Sequence, residues 1–292
     1  MDDSLKSIPD LQQFRPENFG PSSFGPGSFG NGPDYLPMPK EVTVFVPPAP
    51  LSDPQLRAVG PAWLTRIGNA LAGYRDDAPG ISIDLVGLSG AERRFLDEIL
   101  GHGEVSALVL GTPVIQIEET IFTGLWRVRS DAMPNALAQD RLEIGPIPQI
   151  LTARSADAAG ALALPGAETL PPGLVNAPHI LAELIAKSAS FLTSGAGHLI
   201  NLDLVPMSND ELTWLVGALG EGPVVILSAG YGACRIRSTR LAATWWVQYS
   251  NASDALILNS LEIAPIPAVA CAAADDIAES ALRIRAVAAL YA

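Results

Sequence analysis

The chain has 292 residues, 48% of them hydrophobic, with 31 acidic against 18 basic side chains and a net charge of −13. That hydrophobic share suffices for two buried cores. The acidic balance excludes a nucleic-acid-binding surface, which needs concentrated Lys and Arg to displace counterions, and suits solubility or a basic partner. The start, Met1-Asp2-Asp3-Ser4-Leu5-Lys6, lacks the basic opening and apolar stretch of a secretory signal, and no segment offers about 18 uninterrupted apolar residues for a membrane span. A cytoplasmic protein without membrane contact is expected.

Residues 1–55 form a tail rich in Gly and Pro in which Phe14, Phe19, Phe24 and Phe29 recur every five residues. A period of five fits neither helix nor strand, so the segment is expected to be disordered. Its rings, with Phe19, Phe24 and Phe29 as the candidates, either dock on the parent body or grip another protein.

Beyond the tail, residues 83–148 reappear as residues 202–267 at a constant offset of 119, without insertion or deletion and with 24 of 66 positions identical. Two copies are too few and too long for a solenoid, so a pair of sister units is expected, at 56–150 and 177–270. Each copy is preceded by an apolar pattern at helical spacing, Pro61 to Tyr74 and Pro178 to Leu192. Each opens with a predicted strand, Ile81–Leu85 and Leu199–Leu204. Ser89 with Glu92, and Ser208 with Glu211, then have the spacing of a helix-starting capping box, and Gly101 and Gly220 stand where those helices should end.

Short strands follow, 105–110, 114–121, 125–129 and 142–144 in the first copy, 224–227, 234–239, 244–249 and 256–263 in the second, with turn-length connections that predict antiparallel meanders. The order predicts an α+β fold of two tandem pseudo-symmetric two-layer units, each with helices packed on a mostly antiparallel sheet. Residues 151–176, rich in Ala, Gly and Pro, are expected to link the units. A C-terminal helix within 271–292 is expected to pack on the second.

Positions where the copies differ are the ones that can carry something other than folding. Trp126 and Trp245 match and are expected in the core. Trp246 alternates to the opposite face, and its counterpart is Arg127, which predicts either a partner surface or a contact between the units. Arg235 and Arg237 share one strand face and would flank Trp246 if the two strands pair; their counterparts are Gln116 and Glu118. A cationic and aromatic face on an acidic protein has the make-up of an interaction hot spot. Cys234 faces away from those arginines and aligns with Ile115, as a small buried hydrophobe would, with a reactive thiol as the other reading. Cys271 lies in a different element, and His102, His179 and His198 form no ligand pair. No metal site, cofactor or catalytic constellation is therefore expected, and the protein reads as a binding protein, not an enzyme.

The run Gly230-Tyr231-Gly232-Ala233-Cys234-Arg235-Ile236-Arg237-Ser238-Thr239, followed by Trp245-Trp246-Val247-Gln248-Tyr249 and Ile257-Leu258-Asn259-Ser260-Leu261-Glu262, resembles the HupH/HyaF family of hydrogenase expression and formation proteins. The likeness spans roughly residues 60–270 and extends to the Gly/Pro/Phe-rich start. It implies an accessory or chaperone protein for maturation of an uptake nickel-iron hydrogenase, binding the iron-sulfur small subunit precursor before export, with other maturation proteins as further partners. It carries over no catalytic residue, but marks Tyr231, Cys234, Arg235 and Trp246. The competing expectations are a thiol-dependent enzyme or cluster-transfer protein using Cys234, and a scaffold that holds other maturation factors through the Phe tail.

Overall fold

The computed structural model describes residues 47–291, apart from 77, 135–136, 161, 167–169, 230–232, 252 and 254. The Phe tail and Tyr231 lie outside the described residues. Helix α1 (Pro54–Gly73) starts seven residues before the predicted Pro61, because Asp53 caps it by accepting from the Gln55 N–H at 2.8 Å and Pro54 takes the first turn, leaving Pro61 inside. Strand β1 (Ile81–Asp84) leads to α2 (Gly90–Leu100), which opens on the Ser89/Glu92 capping box and closes on Gly101 at φ +53°. Strands β2 (Val105–Val109), β3 (Ile115–Glu119), β4 (Leu125–Ser130) and β5 (Gln139–Ile144) follow, then α3 (Gln149–Asp157). The second copy runs α4 (Ala177–Ser194), β6 (His198–Asn201), α5 (Asn209–Leu219) with the Ser208/Glu211 box and Gly220 at φ +62°, β7 (Glu221–Ser228), β8 (Ala233–Thr239), β9 (Thr244–Ser250) and β10 (Leu256–Ile263). Helix α6 (Ala274–Ala289) closes the chain.

The fold is α+β, and its ten strands form one antiparallel sheet in the order β1-β5-β4-β3-β2-β7-β8-β9-β10-β6. That order reads the same from either end once each strand is replaced by its counterpart. The join is β2 against β7, with Ala107 opposite Ile226 and Val105 and Val109 opposite Ser228 and Val224. Ala107 and Ile226 are themselves counterparts, so a pseudo-twofold axis passes between them.

Both faces of the sheet carry a core. On one, α1, α2 and α6 cover Leu125, Leu142 and Ile144 of the first repeat, while α4 and α5 cover Trp246, Leu261 and Ile263 of the second. On the other, Trp126, Val128, Trp245 and Val247 form a central cluster with Leu151 of α3 and Ala270. The matched tryptophans are fully buried, and each indole N–H donates to a backbone carbonyl, Trp126 to Gly145 at 2.9 Å and Trp245 to Ala264 at 3.0 Å. They are core residues with a satisfied polar handle.

Helix α6 departs from expectation. It follows the second repeat but packs on α1, placing Ile277, Ile284, Val287 and Tyr291 in the first repeat's core. The chain crosses at Ala272, whose N–H donates to Pro146 O at 2.8 Å, and ends with the Tyr291 hydroxyl accepting from the Leu51 N–H at 3.0 Å. Gly124, at φ +80°, gives it passage, since a Cβ there would run into Ile277. The segment after α3 crosses the other way: Gly160 N–H donates to Arg240 O at 2.8 Å and Leu162 packs against the second repeat's helical core. The apolar spacing of α6 predicted that it would pack but not on which repeat, because periodicity reports a face and not its partner.

Candidate functional site

The pseudo-axis divides the helix-bearing face into two covered flanks and a central strip on β3, β2, β7 and β8. The apolar side chains of the strip, Leu108, Val225 and Leu227, pack with one another and belong to neither helical cluster. Long polar side chains close over them, Gln116, Glu118 and Arg129 from the first repeat and their counterparts Arg235, Arg237 and Gln248 from the second, all half-buried.

Trp246 does not supply an exposed aromatic to this strip. It is 4% exposed, within the second repeat's helical core, with its indole N–H donating to Asn259 Oδ1 at 2.6 Å. It belongs neither to a partner surface nor to a contact between the repeats, and the reason lies in its counterpart. Arg127 sits equally deep and donates to Asp140 through Nε and Nη2, both at 2.9 Å, and to Asp97 on α2. Burial weighs against its charge, but Asp140 and Asp97 outweigh it and hold the guanidinium protonated. The residues equivalent to Asp97 and Asp140 are Val216 and Asn259. A buried arginine held by a half-exposed Asp97 and a half-buried Asp140 in one repeat is thus a neutral Trp–Asn pair in the other, and the difference concerns packing under α2 and α5.

Arg235 and Arg237 do lie together on the strip, and β8 pairs with β9 so that Arg237 stands opposite Trp246 with its guanidinium 6.0 Å from the ring centre. Arg237 reaches Glu221 at 3.3 Å, and Arg129 reaches Glu118 at 2.6 Å. Burial lowers the Arg237 pKa; Glu221 opposes this and the like charge of Arg235 adds to it.

Cys234 is 2% exposed on the opposite face, and burial pushes its thiol up to about 11, with the Tyr249 hydroxyl partly offsetting. It is a protonated thiol at neutral pH, not an activated nucleophile. The fold brings it to a place that the sequence does not reveal, a cavity of about 600 Å³ where the repeats meet and the α6 arm crosses, lined also by Cys271, Tyr249 and His102. Among the described residues no three His, Cys, Asp or Glu side chains are grouped to hold a metal ion. Only the duplication signals the cavity, at positions where the copies differ in size and polarity.

Comparison with known proteins identifies the lineage. The C-terminal conserved region of the HupH hydrogenase expression protein matches residues 59–165 and 174–291. This chain belongs to the HupH family. It is 41% identical to the hydrogenase expression/formation protein HupQ of Azotobacter chroococcum mcd 1, over 86% of this chain and 89% of that one. It is also 41% identical to HupH of Rhodobacter capsulatus, over 79% and 81%, and 34% identical to the hydrogenase-1 operon protein HyaF of Escherichia coli, over 70% and 71%. Among solved structures, the hydrogenase expression protein HupH from Thiobacillus denitrificans shares 28% identity over 38% of this chain and 94% of its own, with a TM-score of 0.36.

Proposed function

We propose that this HupH-family chain is a cytoplasmic accessory protein for maturation of an uptake nickel-iron hydrogenase, binding the iron-sulfur small subunit precursor before export and acting by holding it, not by catalysis. Family membership supports the hydrogenase assignment, since the relatives are named hydrogenase expression or formation proteins. No helix among the described residues is long and apolar enough to cross a membrane.

The observation that carries the binding role is the central strip. It is a sheet surface outside both helical cores, where the second repeat sets Arg235 and Arg237 opposite the first repeat's Gln116 and Glu118 about the pseudo-axis. Half-buried arginine planes of this kind are efficient anchors for a protein partner. Phe19, Phe24 and Phe29 of the tail would add a second contact. The thiol reading of Cys234 is disfavoured by its burial and raised pKa.

Copurification tests this. The small subunit precursor should be captured by the wild-type chain and lost by about tenfold or more in Arg235→Glu/Arg237→Glu, with thermal melting verifying the fold. Undiminished capture by that variant would rule the strip out, and the same pull-down without residues 1–46 tests the tail.

A further inference from the structure

The first repeat leaves open a groove of about 760 Å³ between the turn that joins β1 to α2, the hairpin that joins β2 to β3 and the loop after β4. Val86, Val114 and Met133 line it and are exposed, and Leu110 and Leu137, each one residue from a lining residue, are exposed beside it. Five of the fourteen exposed large apolar side chains among the described residues thus gather in one place, the mark of a surface that is covered in use. In the second repeat the counterparts of Val86 and Arg93 are Val205 and Leu212, and both pack against the helical core. One copy closes what the other leaves open.

Gln116 and Arg129 belong both to the groove and to the central strip, so the two adjoin. The arginines of the lining are already engaged, Arg93 with Asp140 at 2.9 Å and Arg129 with Glu118 at 2.6 Å. The groove therefore offers apolar side chains, a thioether and the flat faces of paired guanidinium groups, which suit aromatic rings better than a charged ligand. The chain itself supplies such rings. Residues 18–33, outside the described part, carry Phe19, Phe24 and Phe29 and no charged side chain. The chain enters the described body at Pro47, close to the groove's own helix: the Leu51 N–H donates to the Tyr291 hydroxyl at 3.0 Å, and the Tyr291 ring stands edge-on to Phe95 of α2, two residues from Arg93. The eighteen residues from Phe29 to Pro47 reach up to about 60 Å when extended, against a length of about 16 Å for α2.

We propose that this groove is the docking site of the chain's own residues 18–33, with rings from Phe19, Phe24 and Phe29 seated against Val86, Val114 and Met133. The tether makes the contact intramolecular, so rings that bind weakly one by one are held at an effective concentration on the order of millimolar. A segment of another molecule has to find the same groove without that advantage. Docking there sets the tail beside the strip, along Gln116 and Arg129, where a partner seated on the strip would meet it. The inference goes beyond the small-subunit reading and is tested with no partner present.

The test is fluorescence anisotropy with a labelled peptide of residues 18–33 on two full-length proteins, the wild type and Phe19→Ser/Phe24→Ser/Phe29→Ser, whose tail no longer competes. Saturable binding to the substituted chain is expected, weaker by about tenfold or more on the wild type, and weaker by a similar factor when Val86→Asp/Met133→Asp is added at unchanged melting temperature. Hydrogen exchange checks the groove without altering it: amides within residues 86–88 and 110–114 should be more protected in the wild type than in the triple-serine chain. No binding to the substituted chain, or equal protection in the two proteins, would overturn the proposal. Equal binding by both proteins would assign the groove to a segment of a partner, undiminished binding with the aspartates would place the rings elsewhere, and a mass that grows with concentration only while the rings are present would assign them to a second copy; each of these overturns it as well. No hydrogenase precursor enters the measurement, so failure of precursor capture leaves this result standing, and the reverse.

Discussion

Arg127 and Trp246 occupy one place in two copies of one unit, and each is tenable only with its own neighbours. Trp246→Arg alone would bury a guanidinium opposite Val216 and Asn259 and should cost about 3–5 kcal/mol, as an unpaired buried charge does. Adding Val216→Asp and Asn259→Asp rebuilds the Asp97–Arg127–Asp140 arrangement and should recover most of that loss. Denaturant unfolding of the single, double and triple variants measures it, and a triple variant no more stable than the single one would break the argument. This pair also marks where sequence reading failed. Alternation placed Trp246 correctly on the face opposite Trp245, but the inference that this face was exposed assumed one core per sheet. At Trp245 and Trp246 both faces are buried, and strand periodicity alone does not distinguish a solvated face from one covered by helices.

At the scale of elements, local chemistry was readable because it acts over a few residues. The Ser89/Glu92 and Ser208/Glu211 boxes and the closing Gly101 and Gly220 sit where their spacing predicted, since capping depends on bonds three or four residues apart. What spacing did not reveal is that each glutamate also reaches the preceding helix. Glu92 accepts from the Trp63 indole N–H at 3.1 Å, and Glu211 accepts from the N–H groups of Val175, Asn176 and Ala177 at the start of α4. Burial would raise the Glu211 pKa, but these donors and the Ser208 N–H outweigh it and pull it from 4.5 down to about 2. A folded-state pKa below the unfolded one means that Glu211 stabilises the protein fully above about pH 4.5, and that this contribution fades as pH falls toward 2. Glu211→Gln should therefore cost roughly 1–2 kcal/mol near neutral pH. The gap in melting temperature from wild type should close in acid, and a gap that stayed constant from pH 7 to pH 3 would show that the carboxylate charge is not what matters. The cavity escaped sequence reading for a further reason: Cys234, Cys271 and His102 are far apart along the chain, and only strand order and the crossing arm bring them together.

For the whole molecule, the duplication predicted two sister units, and the fold shows how they are tied. They share one sheet about the Ala107/Ile226 axis, and each sends an arm to the other. Ending the chain before α6 would remove Ile277, Ile284, Val287 and Tyr291 from a core built mainly of residues 56–144. At about 1.5–3 kcal/mol for each large buried side chain, that loss is comparable to the whole stability of a domain. Hydrogen exchange on such a truncation should show β1, β4 and β5 losing protection while β9 and β10 keep theirs. Loss confined to the strands nearest the cut would contradict the exchange of arms.

That crossing has a consequence for synthesis. A ribosome delivers the first repeat long before the helix that seals it, so the first repeat must wait, with the apolar side of α1 uncovered, until residues 274–291 emerge from the exit tunnel. Its completion is thereby delayed until after the second repeat has been made, and a product cut short before residue 274 cannot close.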